Sequence, residues 1–255
     1  MSFRVPHMFS WQHIMLLGIV VLWTVVFATI MRKRTERTQR ITFIILGAIC
    51  SLFMSLRWIW GTGYYVIPLE LCNIGAYMIL FAAIFKKRPL LVFAIYLNII
   101  GAIVGLAVWP TTFMYPNNLV SMEFLDYYFV HAQLIVVPVA FVACGWYRPR
   151  IKDALLASVL LVITASAVFG LVSWLNHIAL FPGASANHMS VIHDHGYPFL
   201  DILFEWWPVP LVYMLPVVPV AFIALVILTL PFVPRGEYRT QFKELLYGAK
   251  TLGFK

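Results

Sequence analysis

Long apolar runs alternate with short charged segments along this chain. Seven of the runs have 18 to 24 residues, which is the length that a helix needs to cross a hydrocarbon core of about 30 Å. They lie near residues 14–31, 41–60, 65–85, 89–108, 127–147, 154–174 and 210–233. The pattern predicts an all-α integral membrane protein in which a bundle of seven transmembrane helices forms one domain, residues 1–255.

Composition and charge support this fold class. Of the 255 residues, 62% are hydrophobic and 11% are charged, which is too few charges to cover a soluble globule. All 18 lysines and arginines except Arg4 and Arg57 fall in segments that would be cytoplasmic if the N-terminus lies outside. The positive-inside rule therefore predicts an outer N-terminus and a cytoplasmic C-terminus. This topology and anionic inner-leaflet lipid explain the net charge of +8, so no nucleic-acid partner is expected.

The three cysteines, Cys50, Cys72 and Cys144, fall at different predicted depths in the membrane. At about 1.5 Å per residue along a helix, these depths differ too much for a disulfide between any two of them. We therefore expect free thiols.

The third apolar run begins with a cluster of polar residues, Pro68-Leu69-Glu70-Leu71-Cys72-Asn73. Ionisable side chains inside a membrane segment are costly, so each is a hypothesis about function. Arg57, near the outer end of the second run, has a predicted depth similar to that of Glu70, and a salt bridge between them is the simplest explanation of both charges. On a regular helix Glu70 and Cys72 point in nearly opposite directions, so Glu70 is expected to organise the bundle and not to activate the thiol.

The fifth run opens with Tyr127 and Tyr128 and carries His131 one turn later. Counted from the outer ends of their predicted helices, His131 lies about five residues in and Cys72 about seven, so both should lie roughly 8 to 10 Å below the outer surface. A thiol and an imidazole at one depth can meet if their helices are neighbours. Tyr127 and Tyr128 share the face of His131.

Other polar residues near the membrane have simpler explanations. Asn98, in the middle of the fourth run, is expected to make a hydrogen bond between helices. Glu123 and Asp126 are expected to be solvated charges of an outer loop. His13, just ahead of the first run, is expected at the membrane interface.

The outer segment between the sixth and seventh runs, residues 175–209, is too long for a simple turn. It contains Asn187 and several histidines, and it ends in an amphipathic stretch with Trp206 and Trp207. Such a stretch is typical of a segment that lies in the membrane interface. Because a connection of this length often forms a lid or wall of a site, we expect residues 187–207 to do so.

These residues favour nucleophilic acyl transfer as the first functional hypothesis. A thiol is a weak nucleophile until it loses its proton, so Cys72 needs a base, and His131 could take that proton and return it to the leaving group. A thioester preserves the reactivity of the acyl group, and a water-poor cavity would pass it to another lipid in preference to hydrolysis. The candidates for stabilising the oxyanion are Asn73, Asn187, Trp206 and Trp207.

A metal site in the outer segment is a second hypothesis. His193 and His195, with His188 or His177 and Asp194, have the ligand types that zinc prefers. The alternative is an exposed polar loop whose histidines have no shared role. Because closely spaced histidines in one outer loop are not rare, we expect no metal and no other cofactor.

A third hypothesis is a non-catalytic membrane protein that binds lipid or solute, or a transporter component. Glu70, Arg57 and Asn98 would then line a solute pocket. The sequence shows neither the paired broken helices nor the inverted repeat of many transporters. Binding without catalysis is nevertheless the main alternative to acyl transfer.

Several short stretches, spread over most of the chain, carry a family resemblance. They are Ile67–Cys72, Tyr128–His131, Asn187–Met189, Leu200–Leu203 and Trp206–Pro208. Through them the chain resembles the YwaF-like family of membrane proteins, which includes the mammalian transmembrane protein 164 acyltransferase. The sequence departs from the family pattern in two places, since members more often have His where this chain has Glu70 and Tyr where it has His188.

The resemblance implies a seven-helix bundle and, for the acyltransferase member, a cysteine that works with a histidine to move fatty acyl chains between phospholipids. Matched residue by residue, it implies Cys72 as the nucleophile and His131 as the base. We therefore expect a multi-pass protein of the cell membrane that moves a fatty acyl group between lipids or lipid-linked substrates, with membrane phospholipids as its partners. Glu70, Arg57 and Asn73 would support a cavity that opens toward the outer leaflet.

Overall fold

The structure, a computed structural model, describes residues 10–59, 67–107, 122–178, 180, 186–192 and 198–251. The chain forms two compact units, Met1–Tyr147 and Arg148–Lys255. The described residues form helices and their connections and contain no β-strand, so the predicted all-α class is confirmed for them. All three cysteines are free, as predicted.

In its described part, the first unit contains three long helices, one shorter apolar helix and a helical rod made of three segments. Its helices are α1 (Trp11–Arg32), α2 (Glu36–Ser55), α3 (Leu71–Phe85), α4 (Arg88–Val92), α5 (Ile99–Ala107) and α6 (Met122–Ala143). A six-residue π-helix, Phe93–Asn98, joins α4 to α5, so Arg88–Ala107 is continuous. A π-helical turn inside an α-helix is rare and is often found at functional sites.

The second unit contains a long apolar helix, a short amphipathic helix, a second apolar helix and a C-terminal helix. These are α7 (Ile151–His177), α8 (Pro198–Trp206), α9 (Val217–Thr229) and α10 (Tyr238–Thr251). Helix α9 is the centre of a longer helical stretch, Val212–Phe232. Helix α10 was not predicted, and its Gln241 side chain accepts a hydrogen bond from the first backbone N–H of α7, on Ile151, at 3.0 Å.

Among the described residues, six helical stretches are long and apolar enough to cross a membrane. They are Trp11–Arg32, Glu36–Ser55, Arg88–Ala107, Asp126–Ala143, Ile151–His177 and Val212–Phe232. The third predicted run, 65–85, instead gives the 15-residue helix α3, which begins only at Leu71. Pro68 lacks an N–H group and restricts the residue before it, so the chain stays extended through Glu70 before the helix begins.

Asn98 lies at the end of the π-helical segment and is 1% exposed. Its Nδ2 donates to the carbonyl oxygen of Gly75 on α3 at 3.0 Å, which confirms the predicted hydrogen bond between helices. A Cβ atom on Gly75 would lie only 2.8 Å from Asn98 Cγ. The glycine therefore allows α3 to approach the rod closely enough for this hydrogen bond.

Helix α1 is attached to the rest of the first unit by two side-chain hydrogen bonds. His13 Nε2 donates to the carbonyl oxygen of Leu106 at 2.7 Å, and the Tyr128 hydroxyl donates to the carbonyl oxygen of Leu16. His13 was expected at the membrane interface, but its side chain is 2% exposed, because this carbonyl provides a buried polar partner.

The Gln39 side chain binds two backbone carbonyls and one indole ring where α1 turns into α2. Its Nε2 donates to the carbonyl oxygens of Met31 at 3.1 Å and Arg34 at 3.0 Å, and its Oε1 accepts the indole N–H of Trp146 at 2.8 Å. The side chain is 6% exposed. This amide is therefore fully used in fixing the turn against the segment that follows α6.

We expect Gln39→Ala to lower the free energy of unfolding by about 1 to 3 kcal/mol, because it leaves buried donors and acceptors without partners. Thermal unfolding of the purified protein in detergent, followed by tryptophan fluorescence, measures this loss. The control is Arg37→Ala, which truncates an exposed side chain of the same helical turn. Equal unfolding temperatures for the two variants would contradict the role assigned to Gln39.

Candidate functional site

A buried ion pair joins the segment after α2 to helix α6. Arg57 Nε lies 3.3 Å from Asp126 Oδ2, and the two side chains are 13% and 0% exposed. The prediction that Asp126 is a solvated loop charge is therefore wrong. Helix α6 begins at Met122, five residues earlier than predicted, so Asp126 belongs to the helix and is buried beside Arg57. A carboxylate can be buried in this way only with a compensating partner.

Asn73 connects this ion pair to Cys72. Arg57 Nη1 donates to Asn73 Oδ1 at 3.2 Å, and the Cys72 thiol donates to the same oxygen at 3.5 Å. Asn73 is 3% exposed. We call Arg57, Asn73, Cys72 and Asp126 the thiol cluster, because they form a continuous series of polar contacts that ends at the thiol.

Cys72 occupies the first turn of α3. Glu70 precedes the helix in an extended conformation, and its carbonyl oxygen accepts the first helical hydrogen bond, from Ile74 N–H at 3.0 Å. Glu70 thus lies outside the helix, so the angle expected between Glu70 and Cys72 on one regular helix does not apply. The first backbone N–H groups of a helix have no acceptor within it, and they favour negative charge nearby. The thiol therefore lies beside backbone N–H groups that can donate to an oxyanion.

His131 is 5% exposed, and its Nδ1 lies 2.7 Å from the carbonyl oxygen of Tyr127. A carbonyl oxygen only accepts hydrogen bonds, so we assign the proton to Nδ1. In the neutral ring Nε2 then carries the lone pair and can act as a base. The tyrosine ring also lies against the imidazole, with 4.0 Å between the ring centroids.

Gly105 on α5 provides the space that the imidazole occupies. A Cβ atom at this position would lie 2.8 Å from His131 Cδ2 and 2.9 Å from Nε2. Tyr127 strengthens the contact, because its hydroxyl donates to the Gly105 carbonyl oxygen. The position of the imidazole thus depends on the absence of a side chain on the neighbouring helix.

The same face of α5 also contacts the start of α3. A Cβ atom on Gly101, one turn before Gly105, would lie 3.6 Å from the side chain of Leu71, the residue before Cys72. Leu71, which precedes the nucleophile candidate, and His131, the base candidate, therefore lie beside neighbouring turns of one helix. Arg57 also lies within electrostatic range of both Cys72 and His131.

Cys72 and His131 both lie in the described part of the structure, and no hydrogen bond joins the Cys72 thiol to the His131 imidazole. The thiol of Cys72 donates to Asn73, and the imidazole of His131 donates to Tyr127. Direct pairing of Cys72 with His131 therefore stays a prediction. Tyr128 was expected on the face of His131. Its hydroxyl donates to the Leu16 carbonyl oxygen on α1, and its ring stacks on Phe124 with 6.0 Å between the ring centroids.

In the second unit, Asn187 and His188 are both fully buried, at 0% exposure. Asn187 Oδ1 accepts the backbone N–H of Ile192 at 2.9 Å. Just before it, Ala186 exchanges two hydrogen bonds with the Asn176 side chain, at 2.7 and 2.9 Å. The buried amide of Asn187 thus stabilises the local fold of this segment.

Trp206 ends α8, Trp207 follows it, and the two are 71% and 53% exposed. Exposed indole rings beside apolar helices are typical of the boundary between lipid and water. His193, Asp194 and His195 lie outside the described residues. Among the described residues, no group of three or more His, Cys, Asp or Glu side chains could hold a metal ion.

A protein-family model described as the TMEM164 family matches residues 8–229. The chain belongs to the TMEM164 family. The matched region includes every member of the thiol cluster, His131 and the segment around Asn187, which agrees with the resemblance seen in the sequence. Membership in this family and six long apolar helices together identify a multi-pass membrane protein. No curated protein and no solved structure is significantly similar to this TMEM164-family chain.

Sequence reasoning missed Asp126 and Gly105. Asp126 could have been found by extending the helical pattern of the fifth run toward the N-terminus, which places Asp126 one turn before Val130, on the same face of the helix. Gly101 and Gly105 show the four-residue spacing of small residues that marks close helix packing in membranes.

We expect Gly105→Ala to lower the free energy of unfolding by about 1 to 3 kcal/mol, because the added methyl group overlaps the imidazole of His131. In a His131→Ala background the same change should cost much less, since the ring is gone. Unfolding measurements on both single variants and the double variant give this coupling. The matched control is Gly18→Ala, where an added Cβ would meet no atom within 4 Å. An equal cost of Gly105→Ala in both backgrounds would show that the contact with His131 is unimportant.

Proposed function

We propose that this protein is a membrane acyltransferase that moves a fatty acyl group between lipids or lipid-linked substrates through a thioester on Cys72. The observation that carries the proposal is the thiol cluster, in which a cysteine on the first turn of α3 shares an amide oxygen with an arginine that pairs with a buried carboxylate. Such a cluster inside an apolar bundle is costly unless it has a use. What the sequence resemblance implies for Cys72 and His131 supports the same chemistry.

The first half-reaction would form the thioester. The Cys72 sulfur attacks the carbonyl carbon of a donor ester while the thiol proton passes to His131 Nε2. The negative charge on the former carbonyl oxygen is stabilised by Asn73 Nδ2 and by the free N–H groups of the first turn of α3. The bond between the carbonyl carbon and the donor oxygen then breaks. His131 returns the proton to that oxygen, which leaves as an alcohol.

The second half-reaction would reverse these roles. A hydroxyl group of the acceptor gives its proton to His131, and its oxygen attacks the thioester carbonyl carbon. The bond between carbon and sulfur breaks, and the Cys72 sulfur takes back the proton. The net reaction exchanges one ester for another and consumes no water. Nearby apolar helices support transfer over hydrolysis, because they limit the entry of water.

Proton transfer requires the thiol to leave Asn73 Oδ1 and approach His131 Nε2. A rotation about the Cα–Cβ bond of Cys72 changes the thiol's partner without moving the helix. In enzymes without substrate, catalytic hydrogen bonds are often long or misaligned and shorten only in the substrate complex. We expect an ester carbonyl bound between the Cys72 thiol and His131 Nε2 to induce that rearrangement.

The proposed topology has seven crossings, with the N-terminus outside, the C-terminus in the cytoplasm and the thiol cluster near the outer leaflet of the cell membrane. Helix α3 has 15 residues and is about 22 Å long, so the extended residues Ile67–Glu70 would complete its crossing. The loop charges support this orientation under the positive-inside rule. Trp206 and Trp207 would anchor α8 at the outer interface.

The alternative function is lipid or solute binding without catalysis. It is favoured by the fact that the Cys72 thiol and the His131 imidazole each donate to another partner. In that case Arg57 and Asn73 would bind a polar headgroup or solute, and no acyl group would become attached to the protein.

We expect purified protein, incubated with a phospholipid that carries a labelled acyl chain, to form a hydroxylamine-sensitive adduct on Cys72. Cys72→Ala should abolish the adduct and the transfer. His131→Ala should slow transfer by about 10²-fold or more, because a general base contributes roughly 10²–10⁴-fold. Mass spectrometry of the labelled peptide locates the acyl group.

The control for this experiment is Cys144→Ala, which removes another partly exposed thiol of the first unit. That variant should keep full adduct formation. Transfer that continues in Cys72→Ala would refute the thioester mechanism. Tight binding of lipid without any adduct in the unaltered protein would establish the non-catalytic alternative.

A further inference from the structure

The thiol cluster contains a residue that does not contact the thiol but controls the groups that do. Asp126 lies on α6 and contacts Arg57, with 3.3 Å between Oδ2 and Nε. Arg57 in turn donates to Asn73 Oδ1 at 3.2 Å, and that oxygen accepts the Cys72 thiol. The contacts therefore extend from α6 through the segment after α2 to the first turn of α3.

The guanidinium group determines which way the Asn73 amide points. The oxygen and nitrogen of an amide have nearly the same shape, so packing alone does not choose between the two orientations. A guanidinium group can only donate hydrogen bonds, so the atom that faces it must be the oxygen. The amide nitrogen, Asn73 Nδ2, must then occupy the other position. It is buried and has no hydrogen-bond partner in the described part of the structure.

Asp126 keeps the guanidinium group in that place. An arginine side chain has several rotatable bonds and would move toward water if it were not held. Asp126 is fully buried on a 22-residue helix, so its carboxylate is a fixed counter-charge. Because charges in a medium of low dielectric interact strongly, Arg57 stays beside this carboxylate and so stays within reach of Asn73.

We propose that Asp126 is a positioning residue for Cys72. By holding Arg57, it orients the Asn73 amide so that Oδ1 accepts the thiol's hydrogen and Nδ2 is left to donate to the oxygen of an acyl group. The use of Nδ2 as a donor to an oxyanion rests on the proposed function. The control of the thiol by Asp126 does not, because it follows from the contacts of the cluster alone.

The test measures the alkylation rate of Cys72 by iodoacetamide at fixed pH, in full-length protein whose Cys50 and Cys144 are replaced by alanine. Asp126→Asn should raise the rate at least threefold, because the thiol loses its fixed acceptor. Asn73→Ala should raise it to a similar extent. In the Asn73→Ala background, Asp126→Asn should have no further effect, since the amide through which it acts is gone.

Two further variants separate positioning from a general loss of structure. Asp126→Glu keeps the charge and should return the rate to near that of the parent. Arg57→Lys keeps a positive charge for Asp126 but lacks the planar guanidinium group that also reaches Asn73. Cys72 in this variant should therefore be alkylated as fast as in Asp126→Asn. The matched control is Glu36→Gln, which breaks the ion pair between Glu36 and Lys86 at the other end of α2 and should leave the rate unchanged.

Each outcome has a definite meaning. If the effect of Asp126→Asn persists in the Asn73→Ala background, or if Glu36→Gln has an equal effect, the proposal is wrong. If Asp126→Asn does not fold, the comparison of Arg57→Lys with the parent decides, and equal rates overturn it. An unaltered protein that forms no acyl adduct would end the acyltransferase proposal, while the alkylation series would still test the role of Asp126.

Discussion

The buried contact between Arg57 and Asp126 is the constraint on which one end of the first unit depends. Asp126 is fully buried and the Arg57 side chain is only 13% exposed, so each charge requires the other as a partner. The pair fixes the end of α2 against α6, and through Asn73 it also fixes the start of α3. A bundle of apolar helices has little directional preference of its own, because lipid and leucine are equally apolar. The ion pair fixes the relative orientation of these helices, and it lies near Cys72.

Charge is used differently at the opposite end of α2. There Lys86 pairs with Glu36 at 2.6 Å and lies over the Trp146 ring at 4.2 Å, but the two charged side chains are 33% and 72% exposed. Water screens such a pair, so it contributes little to stability. The two ion pairs therefore have different roles. The exposed pair, Glu36 and Lys86, follows the general distribution of charge at a membrane surface, whereas the pair of Arg57 and Asp126 orients specific side chains.

Hydropathy was sufficient to predict the helical class and the position of most long helices, because a membrane helix must be apolar over its whole length. It could not predict where α3 begins, because Pro68 and Glu70 delay the helix inside a run that is apolar on average. The common depth of Cys72 and His131 was argued from that misplaced start, whereas the observed contacts with the glycine face of α5 are those of Leu71 and His131. Hydropathy could not predict the burial of Asp126, because whether a carboxylate is buried or solvated depends on partners that are distant in sequence.

The π-helical segment Phe93–Asn98 has a consequence for the register of the rod that contains it. One surplus residue in a helix rotates everything beyond it by about 100° relative to a regular α-helix. Asn98 ends this segment and Gly101 and Gly105 follow it in α5, so all three share one register, which is rotated relative to α4. The surplus residue thus sets which face this part of the rod presents to its neighbours, with Asn98 and Gly101 against α3 and Gly105 against the imidazole on α6. Removing one residue from this segment would rotate α5 by about 100° relative to α4 while hardly changing the hydropathy of the chain.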